Sequence, residues 1–336
     1  MKRNPARTDM KTALTYSATT DYPAHREGML DLYQRSYGKE NHAFYDSFYA
    51  GNPLGEPFLF LCHDGNTLVG QENYLRQMVS CDGRLLSAGL GVNTLVDSRY
   101  RLLHGVFGRL CALSLESLAG ELDMLCAFAN EESKKYYLKN YGWQVVAKVR
   151  VYKKATRFSG LRAESLLSLL RPGGRRIGLR LVRTDEFDPS LLDPVIERCR
   201  AGSRYICFHK TAAFLNWKFL RNTHYLIHGY YIMSGDRISG YCLTYDSGIE
   251  RRVIDLRIEG NDHGLMDKTV ATLSSMTRED GLSRLVIHAV PGCWYEKTLK
   301  RRFFIRRWEY DCIARPVREE LPSGDWVIQL GDFDMF

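Results

Sequence analysis

Leu90-Gly91-Val92-Asn93-Thr94-Leu95-Val96, then Asp97-Ser98, the basic passage Arg99-Tyr100-Arg101-Leu102-Leu103-His104-Gly105, and then Val106-Phe107-Gly108, is the stretch that decides how this chain folds. The first seven residues are apolar, small or β-branched, which suits a buried strand. Beyond Gly105, Val106, Leu110, Leu113 and Leu118 recur at helical spacing, so one face packs on a sheet while Arg109 and Glu116 stay in water. Gly120 ends that helix, Leu122 to Ala129 reads as a second inner strand, Asn130-Glu131-Glu132-Ser133 as a helix start, and Tyr136 to Trp143 as a short aromatic helix. A strand feeding a basic, Gly-containing turn and then a helix is a physical solution for holding a phosphate: free amides and the positive end of the helix dipole face the anion. The same passage also serves simply to turn a corner in an α/β fold.

Outward from this stretch the pattern stays regular. Tyr22 to Ser36 carries a helical pattern, an aromatic segment follows at His42 to Tyr49, and nothing regular is expected before residue 15. Strands Phe58 to Cys62 and Thr67 to Gly70 flank the hairpin turn Asp64-Gly65-Asn66, and a second turn sits at Cys81-Asp82-Gly83. Antiparallel strands followed by helix, strand and helix predict a mixed sheet instead of a doubly wound one. Val145 to Tyr152 reads as a closing strand. A Ser/Gly/Arg-rich passage with a short leucine helix, Leu166 to Leu170, and the breaker Pro172-Gly173-Gly174 marks a domain boundary.

The second half repeats the first. Asp64-Gly65-Asn66-Thr67-Leu68-Val69-Gly70 parallels Ser234-Gly235-Asp236-Arg237-Ile238-Ser239-Gly240, and Phe44-Tyr45-Asp46 parallels Phe214-Leu215-Asn216, both at one offset of 170 residues. A shared offset on both sides of a loop points to internal duplication. Strand Val253 to Ile258, helix Leu265 to Met276, strand Leu285 to Val290, helix Cys293 to Lys300 and strand Arg306 to Ala314 then follow in the order of the first half. The expected division is a domain over 1–155, a linker over 156–180 and a second domain over 181–336. Each domain is expected to be α+β, a mixed, mostly antiparallel sheet flanked by helices.

At 336 residues the chain is long enough for two cores, and 45% hydrophobic with 26% charged residues is an ordinary globular balance. A net charge of +8 suits an anionic ligand such as a nucleotide or CoA, and equally suits weak nucleic-acid or anionic-membrane contact. The nine cysteines include no Cys-x-x-Cys, and no His stands beside them at metal-ligand spacing. Reduced, mostly buried thiols and no metal are therefore expected. Met1 to Asp21 is polar and basic without an apolar core, and no run approaches the roughly 18 apolar residues of a membrane span, so a cytoplasmic location is expected.

The order of residues resembles the GNAT superfamily of acyl-CoA-dependent N-acyltransferases. Its members end a strand on a hydrophobic-acidic step, here Val96-Asp97, and continue into an Arg/Gln-x-x-Gly-x-Gly/Ala pyrophosphate loop, here Arg101 and Gly105-Val106-Phe107-Gly108. Asn130-Glu131-Glu132-Ser133, Tyr137 and Gly142-Trp143 follow in the same order. Arg101 stands one residue farther from Gly105 than that pattern has it. Asn216-Trp217-Lys218-Phe219 and the tail Asp325 to Asp334 resemble tandem GNAT proteins associated with bacterial polysaccharide and cell-envelope synthesis.

The resemblance implies acetyl-CoA or another acyl-CoA as donor. It would be bound by backbone amides at Leu95 and Val96 and by the loop of Arg101, His104, Gly105, Val106, Phe107 and Gly108, with Asn130 and Ser133 near the pantetheine arm. Asn93 is a candidate acceptor contact, and structural capping is the equal alternative at Asn93 and Asn130. The implied acid that protonates the leaving sulfur is a Tyr. Counting from Asn130 gives Tyr137, and counting back from Trp143 gives Leu138. Glu72 is the candidate base, or else a solvated strand residue. Ile258-Glu259-Gly260-Asn261-Asp262-His263-Gly264 carries two carboxylates where the first half has its basic loop, and these would repel a pyrophosphate. The second half is therefore expected to shape the acceptor cleft or to support a homodimer. The basic run Lys297, Lys300, Arg301, Arg302, Arg306 and Arg307 reads as a solvated face or as a contact for an anionic acceptor such as an amino sugar nucleotide. The expected partner is a small-molecule amine, with direct attack, since no Cys sits in a nucleophile-His-acid pattern. Aminoacyl-tRNA-dependent transfer and a non-enzymatic binding pair are the other readings.

Overall fold

The computed structural model describes residues 14–38, 42–101, 105–156, 178–201, 203–222, 224–318 and 320–333. His104, the expected leucine helix and the Pro172-Gly173-Gly174 breaker lie outside them. In chain order the elements are β1 Leu14–Thr19, α1 Tyr22–Tyr37, α2 His42–Tyr49, β2 Phe58–Asp64, β3 Thr67–Cys81, β4 Arg84–Val96, α3 Val106–Leu118, β5 Met124–Ala127, α4 Glu131–Asn140 and β6 Gln144–Ala155. There follow β7 Leu179–Thr184, α5 Pro189–Ala201, β8 Ile206–His209, α6 Ala212–Leu215, β9 Ile227–Ser234, β10 Arg237–Ser247, β11 Glu250–Ile258, α7 His263–Glu279, β12 Arg284–Ala289, α8 Glu296–Arg301, β13 Ile305–Pro316 and β14 Trp326–Val327. A π-helical turn, Asn216–Leu220, continues α6.

The repeat read from the sequence has a register counterpart. Val69 is an unpaired extra residue on β3 opposite β2, and Ser239 is the same bulge on β10 opposite β9, again at the 170-residue offset. Strands β1 to β5 form one mixed sheet and β7, β9, β10, β11 and β12 another, in each case antiparallel except for the last pair, β4–β5 or β11–β12.

What the sequence reading does not anticipate is how these sheets close. The closing strand β6 pairs not with its own half's β5 but with β12, from Arg284↔Ala155 to Ala289↔Arg150. Reciprocally, β13 pairs with β5, from Ile313↔Ala127 to Pro316↔Met124, and β6 and β13 pair with each other. The result is one continuous sheet in which each half is finished by the other half's last strand. Ion pairs fasten the exchange: Arg150 to Glu309 at 2.7 Å, Lys153 to Glu250 at 2.6 Å and Lys134 of α4 to Asp311 at 2.6 Å.

A further strand crosses between the halves, and a second lies beside it. β3 continues past the point where β2 ends, and β8 pairs with its extension, Met78↔His209 to Ser80↔Cys207. β14 lies parallel to β8, which brings the C-terminal segment into the core. Lys210 anchors that segment, its Nζ held between Asp255 at 2.5 Å and Asp332, all three almost fully buried. Lys218 Nζ adds bonds to the carbonyls of Gly331 (2.9 Å) and Phe333 (3.2 Å). Burial alone would lower the Lys210 pKa, but the two carboxylates outweigh it and hold it above the ordinary range.

All nine cysteines are free thiols, seven of them buried. Among the described residues no helix is long and apolar enough to cross a membrane.

Ile313 is fully buried on β13 with Ala127 and Val145 as its register partners. Ile313→Ala is expected to cost about 2–5 kcal/mol. Because the exchanged strand serves both halves, the loss should lower a single cooperative calorimetric transition. Two separated transitions, with only one displaced, would show that the halves melt independently.

Candidate functional site

The site is built where β3 and β4 part from regular pairing. Gln71 pairs with Leu95 and Asn73 with Val92, so Asn93 and Thr94 together face the single residue Glu72. This bulge bends β4 and takes backbone groups out of the ladder. Asn93 holds the left-handed conformation, φ 49°, which Asn tolerates better than other side chains with a Cβ.

Alternation along β3 sends Gly70, Glu72 and Tyr74 to the face covered by α3. A Cβ on Gly70 would stand 2.7 Å from Val106 Cγ1, so glycine sets how closely α3 approaches. Glu72, 1% exposed, lies beneath that helix. The solvated alternative for Glu72 is therefore corrected: the neighbouring glycine and the pleat turn it inward. Tyr74 donates to its carboxyl at 2.9 Å, Ser114 at 3.0 Å, Tyr137 at 3.1 Å and Cys111 Sγ at 3.4 Å. Burial pushes the Glu72 pKa up, and these donors pull it only partly back. Burial, and then the proximity of Glu72, hold the Tyr137 phenol well above its usual value.

On α4, Tyr136 is exposed and Leu138 half-buried, whereas Tyr137 reaches inward. Its hydroxyl also lies 3.4 Å from Thr94 Oγ1, on the bulge, and its ring packs edge-on against Phe107 at 5.3 Å. Tyr137 and Glu72, picked independently from sequence, thus stand in one cluster. Tyr74, Thr94, Cys111 and Ser114 were not anticipated. The period-2 signal of β3 and the three-residue spacing of Cys111 and Ser114 on α3 could have found three of them.

The other face of the bulge is polar as well. Gln71 Nε2 donates to the Asn93 carbonyl at 2.9 Å, and Asn73 and Asn93 Nδ2 donate to Tyr49 Oη at 3.0 and 3.2 Å. Gln71 Oε1 and Asn73 Oδ1 are buried without a partner among the described residues.

Below the bulge, Leu95 and Val96 are buried and pair with Gln71 and Gly70. Asp97 accepts from Arg35 at 2.6 Å and Arg99 at 2.8 Å, and the Arg99 hydrogen bonds lead in holding its carboxyl down at about 2. Arg101 Nε bonds the Val96 carbonyl at 2.9 Å. Gly105 precedes α3 in the left-handed conformation, φ 60°, and no side chain of the described residues caps the helix. Val106 is buried against Gly70, Phe107 faces Tyr137, and a Cβ on Gly108 would meet Tyr141 Oη at 2.9 Å. Asn130 accepts from the Glu132 and Ser133 amides and from Ser133 Oγ, which makes it the cap of α4. Among the described residues no three His, Cys, Asp or Glu side chains converge as metal ligands. In the basic run, Lys300, Arg302 and Arg306 are in ion pairs with Glu296, Asp267 and Glu309.

No family model matches the chain, and no curated protein matches it in sequence. Solved structures match it in shape. A GCN5-related N-acetyltransferase from Anabaena variabilis aligns with a TM-score of 0.67 over 90% of this chain and 73% of that one, at 11% identity. A protein from Enterococcus faecalis described as a probable N-acyltransferase gives 0.70 over 91% and 73%, also at 11% identity. N-myristoyltransferase from Saccharomyces cerevisiae, with bound myristoyl-CoA, gives 0.56 over 94% and 82%, at 10% identity. The chain has the GNAT fold.

Within this GNAT fold the two halves share a bulge, β11 against β10 as β4 against β3, and differ in the side chains around it. The repeat offset sets Cys242 at the position of Glu72. Gly142-Trp143 and Phe303-Phe304 are the same turn, a left-handed residue (φ 68° and 59°) before a buried aromatic. Counting back from it matches Tyr137 with Thr298. The N-terminus of α7, unlike that of α3, is closed by its own chain: Asp262 accepts from the Gly264 and Leu265 amides at 2.7 and 2.9 Å.

Asp97 ionises more readily folded than unfolded, where its pKa is about 3.9. Its stabilisation is therefore complete above that value and lost as pH falls towards 2. Denaturant midpoints of the wild type should fall more steeply between about pH 4 and pH 2 than those of Asp97→Asn. Parallel slopes would show that this pairing contributes nothing.

Proposed function

We propose that the protein transfers an acyl group from acyl-CoA, acetyl-CoA first among them, to the amine of a small acceptor, and that the first half binds the donor. The observation that carries this reading is the open N-terminus of α3, directly beyond a bulged β4, set against the capped N-terminus of α7. An uncapped helix start led in by a left-handed Gly offers amides and a positive dipole end to a pyrophosphate. At α7 the Asp262 carboxylate already occupies that place.

In this reading the thioester lies along the bulge of Asn93 and Thr94, where backbone amides polarise its carbonyl. Tyr137 protonates the leaving sulfur. Leu95, Val96, Arg101 and the Gly105 to Gly108 turn hold the pantetheine and pyrophosphate, and the Asn93, Gln71 and Asn73 face receives the amine. The second half supplies acceptor-binding surface without a donor of its own. An amino sugar or sugar nucleotide is the proposed acceptor class, and the domain division at 156–180 belongs to the same proposal.

Calorimetric titration of acetyl-CoA should give micromolar binding that disappears in the double variant Arg101→Glu, Gly105→Asp. A folded wild type that binds no acetyl-CoA would sink the reading and turn attention to tRNA-linked transfer or a binding module. With an amine that supports thiol release, Tyr137→Phe should lower kcat by roughly 10²–10⁴-fold with little change in KM for the donor. Unchanged kcat would remove Tyr137 from the chemistry.

A further inference from the structure

We infer that Glu72 is a proton reservoir behind Tyr137: as Tyr137 gives its proton to the departing thiolate, it takes the proton of the Glu72 carboxyl. This rests on the acyl-transfer reading above and assigns the direction in which the proton moves at its site.

The geometry separates this role from that of an amine base. Gln71 and Asn73 point to one face of β3 and Glu72 to the other, so the carboxyl does not open onto the face assigned to the amine. Its contacts are Tyr74 on its own strand, Cys111 and Ser114 on α3, and Tyr137 on α4. No cationic group is bonded to it among the described residues. The charge of Arg315 on β13 reaches Cys111 and lowers its thiol pKa without bonding Glu72, and Tyr141 stands beyond Tyr137. A carboxyl buried without a counter-charge favours its neutral form.

The state of that one proton sets what Tyr137 can do. Ionised, Glu72 draws the Tyr137 hydrogen to itself at 3.1 Å and away from the bulge. Neutral, it donates to the Tyr137 oxygen and frees the phenol hydrogen to point at Thr94 Oγ1, 3.4 Å away, where the thioester is placed.

The step balances. The amine nitrogen bonds to the thioester carbon and the carbon–sulfur bond breaks. The sulfur takes the Tyr137 proton, and Tyr137 takes the Glu72 proton. The surplus proton of the new amide goes to solvent, and solvent recharges Glu72 after product leaves. Glu72 is thus a positioning and proton-supplying residue that acts through Tyr137.

Infrared difference spectra of the resting protein against Glu72→Gln should show a protonated carboxyl band at pH 7 that the variant lacks. In thiol-release assays kcat of the wild type should fall as pH rises through the Glu72 titration. Glu72→Gln should lose that limb, run about a hundredfold slower and bind acetyl-CoA as before. An ionised Glu72 at pH 7 overturns the inference. A wild-type rate that instead rises through the titration overturns it too, since that is the behaviour of a base, and so does a Glu72→Gln profile equal to the wild type. Should Glu72→Gln fail to fold, Tyr137→Phe must shift the carboxyl band, and an unmoved band overturns the relay. A wild type that shows the band yet releases thiol to no amine defeats the acyl-transfer reading itself, which distinguishes that failure from this one.

Discussion

The pairing of β6 with β13 is the constraint on which the rest of the molecule depends. Among the described residues β13 is the one strand that closes β5, and β6 serves β12 in the same way. Neither sheet is finished without the closing strand of the other half. A free edge on β5 or β12 would leave a row of backbone donors and acceptors unpaired. The exchange removes both edges at once and sets β5 and α4 at a fixed distance from the second half. Because β13 runs on past the end of β5 and meets α4 through Lys134 and Asp311, the element that carries Tyr137 is held from both halves.

Secondary structure was largely legible in the sequence because the signals that fix it are local. The turn at Asp64-Gly65-Asn66, the helical spacing from Val106 to Leu118 and the hairpin repeat each follow from residues near one another in the chain, and α1, α3 and β6 lie within a few residues of where the pattern put them, whereas β3 runs on to Cys81 from an expected end at Gly70 and β1, β7 and α5 were not read. The exchange was not legible. Hydrophobic alternation says that Val145 to Tyr152 is a strand and says nothing about its partner, and a duplicated chain offers two similar sockets. β8 and β14, four and two residues long, are too short to carry a period. They are held by tertiary contacts, above all by Lys210, Asp255 and Asp332, which are far apart in sequence.

At the site the sequence located Glu72 and Tyr137 separately, and only the pleat of β3 under α3 brings them together. Asn130 and Ser133 show the opposite case. Their side chains are used up in starting α4, the structural alternative that was open for Asn130. Asn93 does what a sequence cannot announce: its left-handed backbone turns the strand, and its side chain is tied to Tyr49.

Asp262 has a thermodynamic consequence. The α7 N-terminus carries its own counter-ion covalently, so it needs no solute anion to offset its dipole. The α3 N-terminus has no such internal partner among the described residues, so an anion bound there would add stability. With the two halves sharing their closing strands, the free energy of that single binding event is distributed over the whole sheet. An anion bound at that one helix end would then stabilise both halves together.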